Sequence, residues 1–137
     1  MFPQLAADDK HAAIDAFVEQ LAAAHGVAEM DPLLESVRQR ERKDATGLEM
    51  GVAVPHGKTD AVDSLMAGLA TLAQPLDFGA RDGQASRILV MTISPQRRSG
   101  PHLQFIAEVV RLLRDASLRE SLLAATTGEQ LYEAFIR

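Results

Sequence analysis

Two histidines, His56 and His102, are the side chains here whose type and setting offer chemistry first. His56 closes the run Gly51-Val52-Ala53-Val54-Pro55-His56-Gly57. Imidazole can be a neutral nucleophile near pH 7 and still carry a transferred group. The apolar run predicts a buried strand over 52–54. Pro55 has no N–H to give to a ladder, so pairing is expected to stop there, with Val54 held extended. Gly57 lets the backbone turn away at either sign of φ. His56 is therefore expected at a strand end. His102 follows Ser99-Gly100-Pro101, a helix-start signal, which places it in the first turn of a helix. Free backbone N–H groups there form an anion site. The positive end of the helix dipole disfavours protonation, so His102 is expected to stay a neutral donor. A histidine at a strand end and another at a helix start can hold a phosphoryl group between them. Two histidines with no clear carboxylate partner seldom make a metal site, and no metal or cofactor is expected. His11 and His25 have no motif around them and read as surface residues, His25 beside a helix C-terminus.

The elements that position these residues follow from periodicity. Asp8 or Asp9 caps a first helix, with Ala13, Ile14, Phe17, Val18 and Leu21 on one face and Gly26 as its stop. Asp31-Pro32 opens a second helix, with Asp31 as N-cap and Leu33, Leu34 and Val37 as its apolar stripe. Its end, from Arg38 to Lys43, is strongly charged, which ordinarily means a solvated terminus with cations well placed for the dipole. Three apolar runs, 52–54, 65–72 and 88–93, read as strands of one sheet, punctuated by Pro75, Gly79 and Asp82-Gly83. The last third is helical. Leu103, Ile106, Val110 and Leu113 share a face, and capping boxes are expected at Ser117–Glu120 and Thr127–Gln130. Helices, then strands, then helices suggest one α/β domain over 1–137 with helices covering the sheet.

Composition narrows the function classes. With 137 residues, 47% hydrophobic and 24% charged, the chain has the balance of a soluble globular domain with a real core. Cysteine is absent, which removes disulfides, thiolate zinc sites and Cys nucleophiles, and fits a reducing compartment. A net charge of −5 argues against an electrostatic nucleic-acid binder. Trp is absent and aromatics are few, so stacking platforms are not expected. No apolar run reaches bilayer length, and Met1-Phe2-Pro3-Gln4 lacks the basic region of a signal peptide. A cytoplasmic location without membrane insertion is expected.

Several separated motifs occur in a fixed order: Arg40-Glu41, Thr46-Gly47, Gly51 to Lys58, Leu76-Asp77-Phe78-Gly79 with Asp82-Gly83, and Pro95 through Pro101-His102-Leu103-Gln104. Together, from about Asp9 to Phe135, they resemble the enzyme IIA domains of the mannitol/fructose type. These serve the bacterial phosphoenolpyruvate-dependent sugar phosphotransferase system. The resemblance implies a mixed β-sheet flanked by α-helices. It implies that His56 accepts the phosphoryl group, that Arg40 lies beside it, and that His102 is the second active-site histidine. Arg40 would offer a charged planar fork to phosphate oxygens. His56 needs one bare nitrogen, and a bond from its other nitrogen to a backbone carbonyl would fix the tautomer. The implied donor is the phosphorylated histidine carrier protein, HPr or a relative. The implied acceptor is an enzyme IIB domain.

Glu49 stands where many relatives have glycine, and either faces water or weakens phosphate binding. Arg97 and Arg98 add charge before His102, lining a docking surface or simply solvated. Met50 is an unusual residue before Gly51 and reads as part of an adaptable apolar rim with Gly47, Leu48, Gly51 and Gly57. Two other functions share this pattern. One is the nitrogen-type enzyme IIA regulator, which binds target proteins according to its phosphorylation state. The other is a non-phosphorylated binding module on the same fold, against which intact His56, Arg40 and His102 argue. The sugar, the IIB partner and any regulated target are not encoded in these motifs.

Overall fold

Chain order in the computed structural model, which describes residues 1–97 and 99–136, begins with strand β1 (Phe2–Leu5) and helices α1 (Lys10–Ala24) and α2 (Asp31–Lys43). Two short strands follow, β2 (Val52–Ala53) and β3 (His56–Lys58), then two long ones, β4 (Met66–Leu76) and β5 (Ser86–Ser94). Helices α3 (Ser99–Leu112), α4 (Ala116–Ala124) and α5 (Gly128–Ile136) complete it. The sheet is mixed. β4 and β5 are antiparallel neighbours, β1 lies parallel on the outer side of β4, and β2 and β3 lie parallel along the far side of β5.

β5 sits at the centre, and its alternation divides the core. Leu89, Met91 and Ile93 face one way, joining Ile14, Phe17 and Leu21 of α1 and Leu33 and Val37 of α2. Ile88 and Val90 face the other way, joining Val109 and Leu113 near the end of α3, Leu122 of α4 and Leu131 of α5. Helices thus cover both faces, as expected for an α/β layer architecture. Phe17 is fully buried, worth about 1.5–3 kcal/mol, and its ring meets Phe2 edge to face at 5.8 Å. The sheet's edge beyond β4 is therefore tied to α1.

Local signals were followed in most places and displaced in some. Asp9 caps α1 by accepting from the Ala12 N–H at 2.8 Å, and Gly26, at φ +69°, follows the helix end. α2 starts one residue earlier than expected. Asp31 is already helical, Met30 is the N-cap, and no side chain caps it. α4 is capped by Asp115, whose carboxylate accepts from the Ser117 N–H, instead of by Ser117 itself. At α5, Thr127 Oγ1 accepts from the Gln130 N–H, while Gln130 Oε1 reaches back to Thr126. β1 has no forecast in the sequence, because Pro3 argues against a strand; it is tolerated since β1 is an edge.

The main correction concerns Pro55. Pairing does stop at Val54-Pro55, but it resumes at once. Val52 pairs with Ile88 and Ala53 with Leu89; beyond the gap His56 pairs with Thr92 and Lys58 with Ser94, in unbroken register. The free Val54 N–H turns outward to the Thr46 carbonyl at 3.1 Å. His56 is thus the first residue of a resumed strand, not the last of a finished one.

Candidate functional site

The site forms where β3, the end of β5 and the start of α3 meet. His56 is held by its ladder to β5, and its Nδ1 lies 2.8 Å from the Val54 carbonyl oxygen. A carbonyl only accepts, so Nδ1 carries the proton and Nε2 is left bare. His102 lies in the first turn of α3, buried against the sheet, with Nδ1 2.5 Å from Thr92 Oγ1. The two rings are 4.8 Å apart between centroids and tilted by 37°.

Both imidazoles stay neutral more readily than a free histidine. Burial is the main cause of the lowered His56 pKa, opposed by the Val54 hydrogen bond and reinforced by the charge of Arg40. His102 is pushed down to about 4, first by burial and then by His56 and Lys58. The neutral state expected from the helix dipole is present, but desolvation is its leading cause.

Arg40 is carried on α2, which packs on β3. Gly57 makes that packing possible: a Cβ there would fall 2.8 Å from the Val37 backbone nitrogen and 2.9 Å from the Ser36 carbonyl carbon. Gly57 therefore serves close approach and not a left-handed turn, and it is buried, so it is no part of an exposed rim. Arg40 follows one turn after Ser36, and its side chain donates to the Asp44 carbonyl at 2.7 Å. Its charge is felt at His56.

Three contributions were not read from the sequence. Lys58 lies on the same strand face as His56, and its charge lowers the pKa of both histidines. Strand period 2 is the signal, hidden because the sequence suggested that the strand had ended. Buried Glu41 accepts from the Thr46 N–H at 2.9 Å and the Thr46 hydroxyl at 2.5 Å, and pairs with Lys10 at 3.4 Å. This buckle fixes the turn between α2 and β2. Gly47 continues it, donating to the Phe78 carbonyl at 3.0 Å where any Cβ would strike that oxygen. Thr92 is the third, in the β5 run read only as core.

Gly47, Leu48 and Met50 line a groove of about 790 Å³ with Arg81, Val110 and Arg114. Glu49 is exposed on its wall, and neither His56 nor His102 lines it. Met50 holds a left-handed backbone at φ 65°, with its N–H donating to Asp82 at 3.1 Å. Arg97 is exposed, whereas Arg98 falls outside the described residues. His11 and His25 are exposed, the latter as the C-cap of α1. Among the described residues no three His, Asp or Glu side chains cluster as metal ligands would. No helix among them is long and apolar enough to cross a membrane.

Comparison with known proteins fits this geometry. A nitrogen regulatory protein of Bradyrhizobium diazoefficiens is 30% identical over 132 residues, covering 96% of this chain and 86% of the relative. A fructose-specific EIIA component of Haloferax volcanii is 31% identical over 124 residues, covering 90% and 80%. A chain in the complex of mannitol enzyme IIA with phosphorylated mannitol enzyme IIB from Escherichia coli superposes with a TM-score of 0.81 at 25% identity, covering 98% of this chain and 92% of that one. The family described as "Phosphoenolpyruvate-dependent sugar phosphotransferase system, EIIA 2" matches residues 1–137, and the chain belongs to it.

Proposed function

We propose that this chain is a phosphocarrier. It accepts a phosphoryl group from a phosphorylated histidine carrier protein, HPr or a relative, onto His56, and passes it to an enzyme IIB domain. The observation that carries this reading is the Val54 carbonyl against His56 Nδ1, which leaves Nε2 as a bare nucleophile on a ring 4.8 Å from a second imidazole. In the step, the Nε2 lone pair forms the new N–P bond while the donor's N–P bond breaks, and that bond's electron pair returns to the donor imidazole. His56 keeps its Nδ1 proton, and the Val54 carbonyl is placed to stabilise the positive charge that develops on the ring. Phosphoryl transfer has a loose transition state, so positioning and charge stabilisation supply most of the catalysis. Arg40 and Lys58 bring positive charge, and His102 with the α3 N-terminal amides brings donors.

The test is incubation with phosphoenolpyruvate, enzyme I and the carrier protein, followed by intact mass. One phosphoryl group is expected, acid-labile and stable to base, and absent from His56→Ala. Label persisting in that variant would overturn the assignment. The similarity to a nitrogen regulatory protein favours a second reading, in which the same phosphohistidine governs binding to a target protein.

A further inference from the structure

Thr92 is tied to both histidines at once. Its backbone is the register partner of His56 across the β3–β5 ladder, and its side chain touches His102 Nδ1. We propose that Thr92 is the positioning residue that decides which nitrogen of His102 carries the proton: its hydroxyl donates to Nδ1, placing the imidazole hydrogen on Nε2 as the donor to a group held on His56. This inference rests on the phosphocarrier reading for its use, though not for the proton assignment itself.

The hydrogen-bond partners among the described residues favour one direction. Thr92 is fully buried, and His102 is 6% exposed. Among the described residues the Thr92 hydroxyl has His102 as its only side-chain or backbone partner. If Nδ1–H were the donor, the hydroxyl proton would be left buried and unpaired, which folded proteins avoid. If the hydroxyl donates, both groups are satisfied. The lowered His102 pKa agrees, since a neutral ring has one nitrogen free to accept. Thr92 is also β-branched, with few χ1 states on a strand, so its oxygen is held in place.

The two rings then carry opposite tautomers. His56 has its proton on Nδ1 and offers a bare Nε2; His102 accepts at Nδ1 and offers Nε2–H. One ring is a nucleophile and its neighbour a donor, and the difference is set by a backbone carbonyl on one side and a threonine hydroxyl on the other.

The test uses long-range ¹H–¹⁵N spectra of the histidine rings in the full chain near neutral pH, with transfer rates from the phosphorylated carrier. The expected parent pattern for His102 is Nε2–H. Thr92→Val, of the same shape without the hydroxyl, is expected to lose the pure Nε2–H pattern and to accept the phosphoryl group about 10- to 100-fold more slowly. Thr92→Ser is expected to restore both. A parent His102 in the Nδ1–H form overturns the proposal, as does a Thr92→Val protein with an unchanged ring pattern. Ring patterns as expected with no rate difference between Thr92→Val and parent overturn the positioning role. If the parent accepts no phosphoryl group, the phosphocarrier reading fails while the ring spectrum still decides the tautomer.

Discussion

His56 and His102 present rings 4.8 Å apart, yet each is anchored through Nδ1 to a different kind of support. Val54 offers His56 a carbonyl, which can only accept; Thr92 offers His102 a hydroxyl, which can donate. Thr92 lies in β5 and Val54 in the short gap between β2 and β3, so both supports are held by the sheet or its immediate flank before any substrate arrives. Such preorganisation suits a reaction in which little covalent work is left for the protein.

Neutrality of the pair predicts a pH dependence. Both pKa values lie below the ordinary 6.5, with His102 at about 4. Between 6.5 and 4 the unfolded state therefore binds more protons at His102 than the folded one, so the stability this group contributes falls as pH falls through that window. Above 6.5 His102 is neutral in both states and contributes no slope. Its contribution is lost progressively through that window, and the loss is complete below pH 4. Denaturant melts between pH 7 and 4 are expected to show a shallower loss in His102→Gln than in the parent. NMR titration should place the His56 midpoint below 6.5. A His102 midpoint near 6.5 would remove the physical basis of the prediction.

Arg40 is expected to act on transfer and not on the fold. It is partly exposed, and its side-chain hydrogen bond goes to the Asp44 carbonyl. Arg40→Lys keeps the charge and loses the planar fork, so transfer from the carrier should slow by about tenfold with the melting curve little changed. Full rates in the lysine variant would mean that nearby positive charge alone suffices.

Glu41 carries the opposite expectation. Removing its carboxylate strands the Thr46 N–H and hydroxyl and leaves Lys10 without its partner. Glu41→Ala should cost about 2–4 kcal/mol in chemical denaturation, and Glu41→Gln, which keeps one acceptor oxygen and the shape, clearly less. Equal losses would show that packing, not hydrogen bonding, sets the turn.

These cases show what the sequence could and could not disclose. Ile14, Phe17 and Leu21 are legible because helical burial follows period 3.6, and the two long strands because of their apolar runs; Pro75, expected to break the first of these, instead lies inside β4, which runs on to Leu76 across an irregularity in its register with β5. The family motifs mark His56, Arg40 and His102. What stays hidden is pairing across the chain. Glu41 looks like one more charge in a solvated helix end, because nothing local says that Thr46 and Lys10 will enclose it. Thr92 looks like core, since only the sheet register brings it beside His56. Pro55 misleads because proline removes one donor without altering register, a loss that the neighbouring strand absorbs.

The last prediction is that the phosphoryl group leaves again, to a IIB domain. A relay must expose its phosphohistidine to two partners in turn. His56 is only partly buried, and Leu103, next to His102, is 62% exposed at the start of α3. Leu103 is thus open to a docking partner next to His102 in the chain. The phosphorylated chain should therefore discharge to a cognate IIB domain within the time that the carrier takes to charge it, and Leu103→Asp should slow discharge while leaving the fold intact. The measurement is loss of label from the isolated phosphorylated protein on adding IIB domains from the same cell. Retention of label with every IIB domain, together with capture of a non-transport protein by only one phosphorylation state, would put the regulator in place of the relay.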